Sequence, residues 1–205
     1  MEIEATILVA LLRLVRKHTG ITMTERKSIL LQGRLQPRLR ALSLRSYQEY
    51  LDLLAQDQAE VQLFINMVTT NDTVFFRTPQ VWDFFSGQFL PEWRHHHPGQ
   101  RLKIWSAAAA SGEEAYSIAM LCEEFRQHAL DFQYQILATD ISTKVLSTAQ
   151  EGLYCGRSID KMKTTRAKLL EKYFLPEAGG LRVVAELKSH ICFAAHNLLQ
   201  RLQST

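Results

Sequence analysis

The stretch LKIWSAAAASGEEAYSIAM, residues 102–120, decides how this chain is read. An apolar run typical of a β-strand passes through four alanines and one glycine into a segment that opens with two glutamates and continues at helical spacing. Small residues at a strand-to-helix turn let a ligand lie against the backbone, and the amides of the first helical turn point towards it. The stretch therefore predicts a strand–loop–helix unit with a binding loop.

Strands and helices alternate around this unit from about residue 80 onward. Such alternation favours a parallel sheet with right-handed crossover helices. We predict a helix over 81–93, a polar loop HHHPGQ, a strand over 101–109, a helix over 111–125, a strand over 134–140, a helix over 142–151 that ends at Gly152, and then a strand, a turn and a third sheet strand within 181–199.

The residues before this region have a different pattern. Between 3 and 68 the apolar residues recur at helical spacing and predict four short helices without a strand. TTNDTVFFRTPQ then interrupts the pattern with polar residues and a proline. We predict an all-helical basic domain at 1–70, a linker at 71–80 that contributes to the cofactor site, and a Rossmann-like domain at 81–205, with α/β as the fold class.

Composition limits the kind of protein. The 205 residues are 46% hydrophobic and 22% charged, which is typical of a globular protein of one domain, or of a small domain joined to an incomplete larger one. No apolar run reaches the roughly 18 residues that a membrane span needs, and three distant cysteines suit a reducing compartment. We expect a cytoplasmic monomer that inserts nothing into a membrane.

Charge is concentrated at the amino terminus. Net charge is only +3 overall, which does not favour nucleic acid as a partner, but residues 1–50 hold nine Lys and Arg against four Glu. This region is the expected docking surface for an anionic partner.

The acidic residues around the binding loop indicate what it binds. A phosphate loop usually carries several glycines, whereas only Gly112 stands here, and Glu113 and Glu114 would repel a pyrophosphate. Asp140 ends the second strand, where a carboxylate can accept hydrogen bonds from ribose hydroxyls. A nucleoside with a cationic tail, such as S-adenosylmethionine, fits this pattern. The alternative is that these carboxylates only cap helices and turns, with Ser111 and Glu114 at capping-box spacing.

Several stretches, in the same order, resemble the chemotaxis receptor methyltransferases of the CheR type. WSAAAASGEEAYSIAM is similar to their cofactor motif, TTNDTVFFR to their linker, ILATDISTKVLSTAQEGLY to their second strand and helix, HNLL to their NLL stretch and RLQPRLRAL to a basic amino-terminal helix. The resemblance implies a small all-α domain followed by a Rossmann-like methyltransferase domain. It also implies methylation of glutamate side chains on the cytoplasmic helices of chemoreceptors, with S-adenosylmethionine as cofactor and S-adenosylhomocysteine as product.

The resemblance to the family motifs implies a role for each of the matched residues. Glu114 would hold the methionine amino group and Asp140 the ribose, and Asn71, Thr73 and Arg77 would close over the cofactor. Asn197 and Leu198 would lie by the adenine. Three arginines of the basic helix would meet the acidic receptor helix, and these are Arg34, Arg38 and Arg40.

The implied reaction needs little acid–base chemistry. A glutamate carboxylate is already ionised at neutral pH, so no general base is required. Arg77 is the candidate to orient a carboxylate, because its planar fork can donate two parallel hydrogen bonds. No metal is expected, since the side chains of His95, His96 and His97 are consecutive and do not easily converge on one ion.

The chain also departs from the family pattern. Pro37 stands inside the basic helix, where it is expected to kink or end that helix, and Ala115 replaces the usual proline after the acidic pair, which should have a mild effect. The family continues after HNLL with a further strand, a CRN-type motif and a tyrosine, and the chain stops before them. We therefore expect an incomplete sheet.

Two other functions stay open, a binding module and a nicotinamide-dependent enzyme. If the chain is not a fragment of a longer enzyme, it is a shortened, catalytically impaired relative that acts as a receptor- or cofactor-binding module. A nicotinamide-dependent oxidoreductase is disfavoured, because the loop lacks the glycines that cradle phosphates.

Overall fold

The computed structural model describes residues 3–24 and 27–202, which fall into two compact units. The helical unit holds the described residues up to Thr70, with 141–143 and those from His196 onward. The α/β unit holds Asn71–Asp140 and Lys144–Ala195. The predicted fold class, an all-helical region followed in the chain by an α/β region, is confirmed.

The helical unit contains the four predicted helices, α1 (Ala5–Thr19), α2 (Ser28–Ala41), α3 (Tyr47–Gln56) and α4 (Gln58–Val68). Each helix turns one apolar stripe inward, as the three- and four-residue spacing predicts. The buried side chains of this core are Leu11, Val15, Leu31, Leu35, Leu39, Tyr47, Tyr50, Leu54, Val61, Phe64, Ile65 and Val68.

Local capping explains where α3 and α4 begin. The Ser46 hydroxyl accepts a hydrogen bond from the Glu49 amide at 3.2 Å, and the Asp57 carboxylate accepts from the amides of Ala59 and Glu60. The Glu49 carboxylate in turn accepts from the Arg45 amide at 2.8 Å. These bonds satisfy amides that the first helical turn would otherwise leave without a partner.

Pro37 does not end α2, which continues to Ala41. An interior proline removes the hydrogen bond that residue 37 would donate to the carbonyl oxygen of residue 33. Residue 33 is an exposed glycine with nothing within 4 Å of a Cβ built on it, so water can reach the carbonyl group that lacks its helical donor. Of the two outcomes expected for Pro37, a kink in the helix or its end, the end is not what the structure shows.

The α/β unit begins with a longer helical segment than predicted. It comprises α5 (Pro79–Phe84), a π-helical turn (Phe85–Phe89) and α6 (Leu90–His96). His95 and His96 therefore lie in a helix instead of the predicted loop. Trp82 is buried. The rings of Phe85 and Phe89 stack at 5.5 Å and pack against the same core, as their spacing predicts.

The main sheet has three parallel strands in the order β1 (Arg101–Ala107), β2 (Gln133–Asp140) and β6 (Ile191–Ala195). Helix α7 (Glu113–Arg126) connects β1 to β2, and α8 (Thr143–Glu151) follows β2. Gly152 ends α8 with φ 65°, as predicted. Because the strands are parallel, the carboxyl ends of β1 and β2 lie at the same edge of the sheet.

A second, antiparallel sheet lies in the chain between α8 and β6. Its strands β3 (Leu153–Tyr154), β4 (Phe174–Glu177) and β5 (Gly180–Val183) are ordered β3-β5-β4. Helices α9 (Arg157–Thr165) and α10 (Ala167–Tyr173) join β3 to β4, and α11 (Ala185–Ser189) stands where a turn was predicted. The predicted strand near 181 therefore belongs to this small sheet, while the predicted third strand of the main sheet is β6.

None of the helices in residues 3–24 and 27–202 combines the length and the apolar character that crossing a bilayer requires.

Candidate cofactor site

The loop between β1 and α7 has an unusual backbone. Its φ angles are positive at Ala108 (58°), Ala110 (48°) and Gly112 (93°). Alanine reaches this left-handed region only at a cost of about 1 kcal/mol or more, so surrounding contacts must hold the loop in place. Such strained turns cluster at ligand sites.

Two hydrogen bonds from β2 hold the loop. The Ala109 amide donates to the carbonyl oxygen of Thr139 at 2.8 Å, and the Ala110 amide donates to Oδ2 of Asp140 at 2.9 Å. Asp140 is buried at the carboxyl end of β2. The residue predicted to bind a ribose therefore also shapes the loop beside it.

Gly112 is required by packing as well as by its φ angle. A Cβ at this position would lie 2.8 Å from Cβ of Ala149 and 3.0 Å from the Tyr154 hydroxyl oxygen. The only glycine of the motif thus allows the start of α7 to approach α8. The space that it leaves is filled by protein, so it does not form the open cradle that a diphosphate needs.

The two glutamates after Gly112 have different surroundings. Glu113 is buried, and its two carboxylate oxygens accept hydrogen bonds from the hydroxyls of Ser111 (2.6 Å) and Ser158 (3.0 Å). Glu114 is exposed and accepts a hydrogen bond from the buried Ser106 hydroxyl at 2.7 Å. Only Glu114 of this pair presents a carboxylate to solvent.

The predicted capping box of Ser111 with Glu114 is wrong. The residue before α7 is Gly112, which offers no side chain, and the Ser111 hydroxyl binds Glu113 instead. The capping explanation for Glu114 therefore fails, while its contact with Ser106 orients it from the end of β1.

The linker is anchored on the same unit by two phenylalanines. Phe75 and Phe76 are buried, and the Phe76 amide donates to the hydroxyl of Ser117 on α7 at 3.1 Å. Asn71 and Thr73 before them are partly buried. Arg77 is exposed, and its guanidinium group donates to the carbonyl oxygen of Asp72 at 3.1 Å. The linker therefore contacts α7 within the first two turns of that helix.

Asn197 and Leu198 belong to the helical unit. The Asn197 amide group donates to the carbonyl oxygen of His18 at 2.7 Å, and its oxygen accepts from the Leu199 amide at 3.0 Å. Leu198 is exposed. The structure thus brings Glu114, Asp140 and the linker residues into one unit, and the adenine contact expected of Asn197 and Leu198 stays a prediction.

The residues of the α/β unit fit S-adenosylmethionine in chemistry. A carboxylate exposed at the start of α7 suits an ammonium group, and a carboxylate at the end of β2 suits ribose hydroxyls. The side of Gly112 where a Cβ would stand faces Ala149 and Tyr154, so this glycine serves packing within the protein.

Comparisons with known proteins agree with this chemistry. Residues 71–205 match a family model described as CheR methyltransferase, SAM binding domain, and residues 8–69 match one described as CheR methyltransferase, all-alpha domain. The chain belongs to the CheR methyltransferase family.

Three curated relatives illustrate the similarity. The chain is 39% identical over 186 residues to chemotaxis protein methyltransferase 2 of Pseudomonas aeruginosa, an alignment that covers 89% of this chain and 64% of the relative. It is 33% identical over 196 residues to the chemotaxis protein methyltransferase of Borreliella burgdorferi (92% and 68%) and 35% identical over 195 residues to that of Escherichia coli (92% and 65%). The chain therefore spans about two thirds of the length of these relatives.

Two of the three arginines predicted to dock a receptor make internal contacts in this CheR chain. The Arg34 guanidinium group donates to the carbonyl oxygens of Val68 (2.6 Å) and Thr69 (3.2 Å) at the end of α4. Arg38 forms a bidentate ion pair with the buried Glu60, at 3.0 and 2.6 Å. Arg40 is exposed, and its side chain has no hydrogen bond or ion pair to the described residues.

Sequence reasoning missed two residues of this CheR site, Tyr154 and Ser158. The Tyr154 hydroxyl donates to the carbonyl oxygen of Ser111 at 2.6 Å, and Ser158 donates to Glu113. Tyr154 lies in β3, which has only two residues and so shows no period of two, and Ser158 lies at the start of α9. Only the resemblance of EGLY to the family motif touched this region.

Proposed function

We propose that this chain binds S-adenosylmethionine at the β1–α7 loop and serves the methylation of glutamate side chains on chemoreceptor helices in chemotaxis. The observation that supports it most directly is that the exposed Glu114 and the buried Asp140 stand on either side of a strained loop whose one glycine packs against α8. The match to the CheR methyltransferase models and the names of the relatives support the chemotaxis role.

Each residue has a defined part in cofactor binding. Glu114 accepts hydrogen bonds from the ammonium group of the methionine, with Ser106 holding its carboxylate. Asp140 accepts from the ribose, and Asn71, Thr73 and Arg77 of the linker close over the cofactor. When bound, S-adenosylmethionine supplies an electrophilic methyl group, and S-adenosylhomocysteine is the product.

The protein's task in the reaction is placement. A glutamate carboxylate is ionised at neutral pH and needs no base, so the site must strip water from it and align it. Arg77 is exposed at the end of the linker, and its guanidinium group is suited to hold the carboxylate by paired hydrogen bonds. Arg40, the exposed member of the predicted docking set, and then Arg34 and Arg38 through their remaining donors, meet the acidic receptor helix.

Calorimetric titration of S-adenosylhomocysteine tests the cofactor site. We expect Glu114→Gln and Asp140→Asn each to weaken binding about tenfold or more, because hydrogen bonds to a charged group contribute about 1.5–3 kcal/mol. Asp140→Asn retains an oxygen that can accept from the Ala110 amide. Glu171→Gln, an exposed carboxylate on α10, is the matched control and should bind as the wild type does. Equal affinity in all four proteins would refute the assignment of the site.

Transfer of a labelled methyl group to a chemoreceptor cytoplasmic fragment tests the reaction. We expect Arg77→Ala to lower the transfer rate by about a hundredfold even at a saturating concentration of S-adenosylmethionine, since positioning contributes several kcal/mol. Label that is incorporated into a receptor fragment without its methylatable glutamates would contradict the proposed substrate.

A further inference from the structure

Three hydroxyl groups surround the loop that precedes α7. Tyr154 donates to the Ser111 carbonyl oxygen at 2.6 Å, and the Ser111 and Ser158 hydroxyls donate to the two oxygens of Glu113 at 2.6 and 3.0 Å. These contacts connect the loop to β3 and α9. None of the three hydroxyls belongs to the residues assigned above to the cofactor.

Glu113 is 4% exposed, so its carboxylate is almost fully removed from water. Within residues 3–24 and 27–202 no lysine, arginine or histidine forms an ion pair with it, and the two serine hydroxyls are its side-chain donors. A buried charge without such donors costs several kcal/mol. Glu113 can therefore occupy this position only when the loop and α9 keep their present arrangement.

Tyr154 is fixed from several directions. Its ring meets those of Phe75 at 4.9 Å and Tyr116 at 6.1 Å in edge-to-face geometry. A Cβ at Gly180 of β5 would overlap the Tyr154 carbonyl oxygen, so only glycine allows β5 to pair this closely with β3. Burial, with the Glu113 carboxylate nearby, raises the pKa of Tyr154 well above its ordinary value. The Tyr154 hydroxyl therefore stays protonated at neutral pH and can donate a hydrogen bond.

The backbone of the loop is strained and must be restrained by other contacts. Ala108 and Ala110 occupy left-handed conformations that alanine avoids. The bonds from β2 restrain the first half of the loop, at Ala109 and Ala110. The second half, from Ser111 to Glu113, is restrained by Tyr154, Ser158 and the packing of Gly112.

We propose that Tyr154 and Ser158 are positioning residues that hold the β1–α7 loop in its cofactor-binding shape, acting through Ser111 and Glu113. The inference rests on the proposed function of that loop. It assigns the small antiparallel sheet and α9 a part in cofactor binding, although neither residue needs to touch the cofactor.

The experiment compares Tyr154→Phe with Tyr173→Phe. Both remove one hydroxyl from a buried tyrosine of the same unit, and the Tyr173 hydroxyl donates to Glu124, away from the loop. We expect Tyr154→Phe to weaken binding of S-adenosylhomocysteine about fivefold, as the loss of a hydrogen bond of about 1 kcal/mol implies. Tyr173→Phe should bind as the wild type does, although both variants lose similar thermal stability.

Ser158 gives a second pair of variants. Ser158→Ala should weaken binding to a similar extent, and Ser158→Thr, which keeps the hydroxyl, should restore it. Hydrogen exchange without any ligand provides a separate measure of the loop. We expect faster exchange at the amides of residues 109–113 in Tyr154→Phe and Ser158→Ala, and no change there in Tyr173→Phe.

The possible results separate this inference from the proposed function. If the wild type binds S-adenosylhomocysteine and Tyr154→Phe binds equally well, the inference is wrong and the cofactor site stands. If the wild type does not bind, the proposed function fails. In that case equal loop exchange in Tyr154→Phe and Tyr173→Phe overturns the positioning role, and faster exchange only in Tyr154→Phe supports it.

Discussion

Two buried glutamates, Glu60 in the helical unit and Glu113 in the α/β unit, are stabilised differently. In the helical unit Glu60 is 3% exposed and receives a bidentate ion pair from Arg38 and a hydrogen bond from the Tyr50 hydroxyl at 2.9 Å. In the α/β unit Glu113 is 4% exposed and receives only serine hydroxyls from side chains. Glu60 has an arginine beside it, whereas the side chains that donate hydrogen bonds to Glu113 are neutral.

The difference corresponds to where each glutamate lies, since the α/β unit also pairs a third buried glutamate, Glu123, with an arginine, Arg126. Arg38 links α2 to α4 across the helical core, so charge pairing here supports the fold. Beside the cofactor loop a cationic side chain would compete with a cationic ligand for the carboxylates. Neutral donors stabilise Glu113 and leave the loop negative, which favours a ligand with an ammonium or sulfonium group.

The comparison also changes how the basic helix is interpreted. Arginine clusters on α2 predict a docking surface, but Arg34 and Arg38 have structural partners in the helical unit. Loss of receptor binding in a variant of Arg34 or Arg38 would therefore combine the loss of a docking contact with the loss of a contact inside the helical unit. Arg40 is the arginine of this set whose substitution tests docking alone, because its side chain has no hydrogen-bond or ion-pair partner among the described residues.

The largest expected effect is that of Arg38→Ala. Removing the arginine leaves Glu60 buried without its counter-charge, which should lower the free energy of unfolding by about 3 kcal/mol, the low end for buried pairs because Arg38 is partly exposed. Urea unfolding measures it, with Arg40→Ala on the same helix as a control that should change stability by less than about 0.5 kcal/mol. Equal effects of the two variants would break the comparison.

An intermediate effect is expected at the loop, from Gly112→Ala. The alanine would combine a positive φ of 93° with a Cβ 2.8 Å from Cβ of Ala149, and we expect a loss of about 2 kcal/mol. Gly99→Ala shares the positive φ, at 71°, but meets nothing within 4 Å, so it should lose only about 1 kcal/mol. Thermal unfolding of both variants measures the difference. If Gly99→Ala is the more harmful, packing against α8 is not what requires Gly112.

The smallest effect is expected when Glu60 and Glu113 are each replaced by glutamine, and it tests the comparison of these two residues directly. Glu60→Gln turns an amide NH₂ towards a guanidinium group that cannot accept a hydrogen bond. In Glu113→Gln a serine hydroxyl can rotate and accept from the new NH₂ group. We expect Glu60→Gln to be the more destabilising by about 1 kcal/mol in urea unfolding. A larger loss in Glu113→Gln would mean that its negative charge is essential to the fold.

Much of the fold was predictable because its signals are local. Helical spacing predicts α1 to α4, and the alternation of strand and helix predicts β1, α7, β2 and α8 close to their observed bounds. The small sheet was not predictable, since strands of two to four residues are too short to show a period of two. The π-helical turn inside the segment 79–96 likewise has no distinct pattern in sequence.

At the site, residue types and spacing alone determined that a carboxylate-lined loop follows β1 and that Asp140 stands at the end of β2. Only the tertiary structure decided which glutamate is exposed, why Gly112 is a glycine, and that Tyr154 and Ser158 hold the loop. The physical reason is that a side chain's partners depend on distant segments brought together in the fold. Residue 111 meets residue 154, and residue 113 meets residue 158, across 43 and 45 positions of the chain.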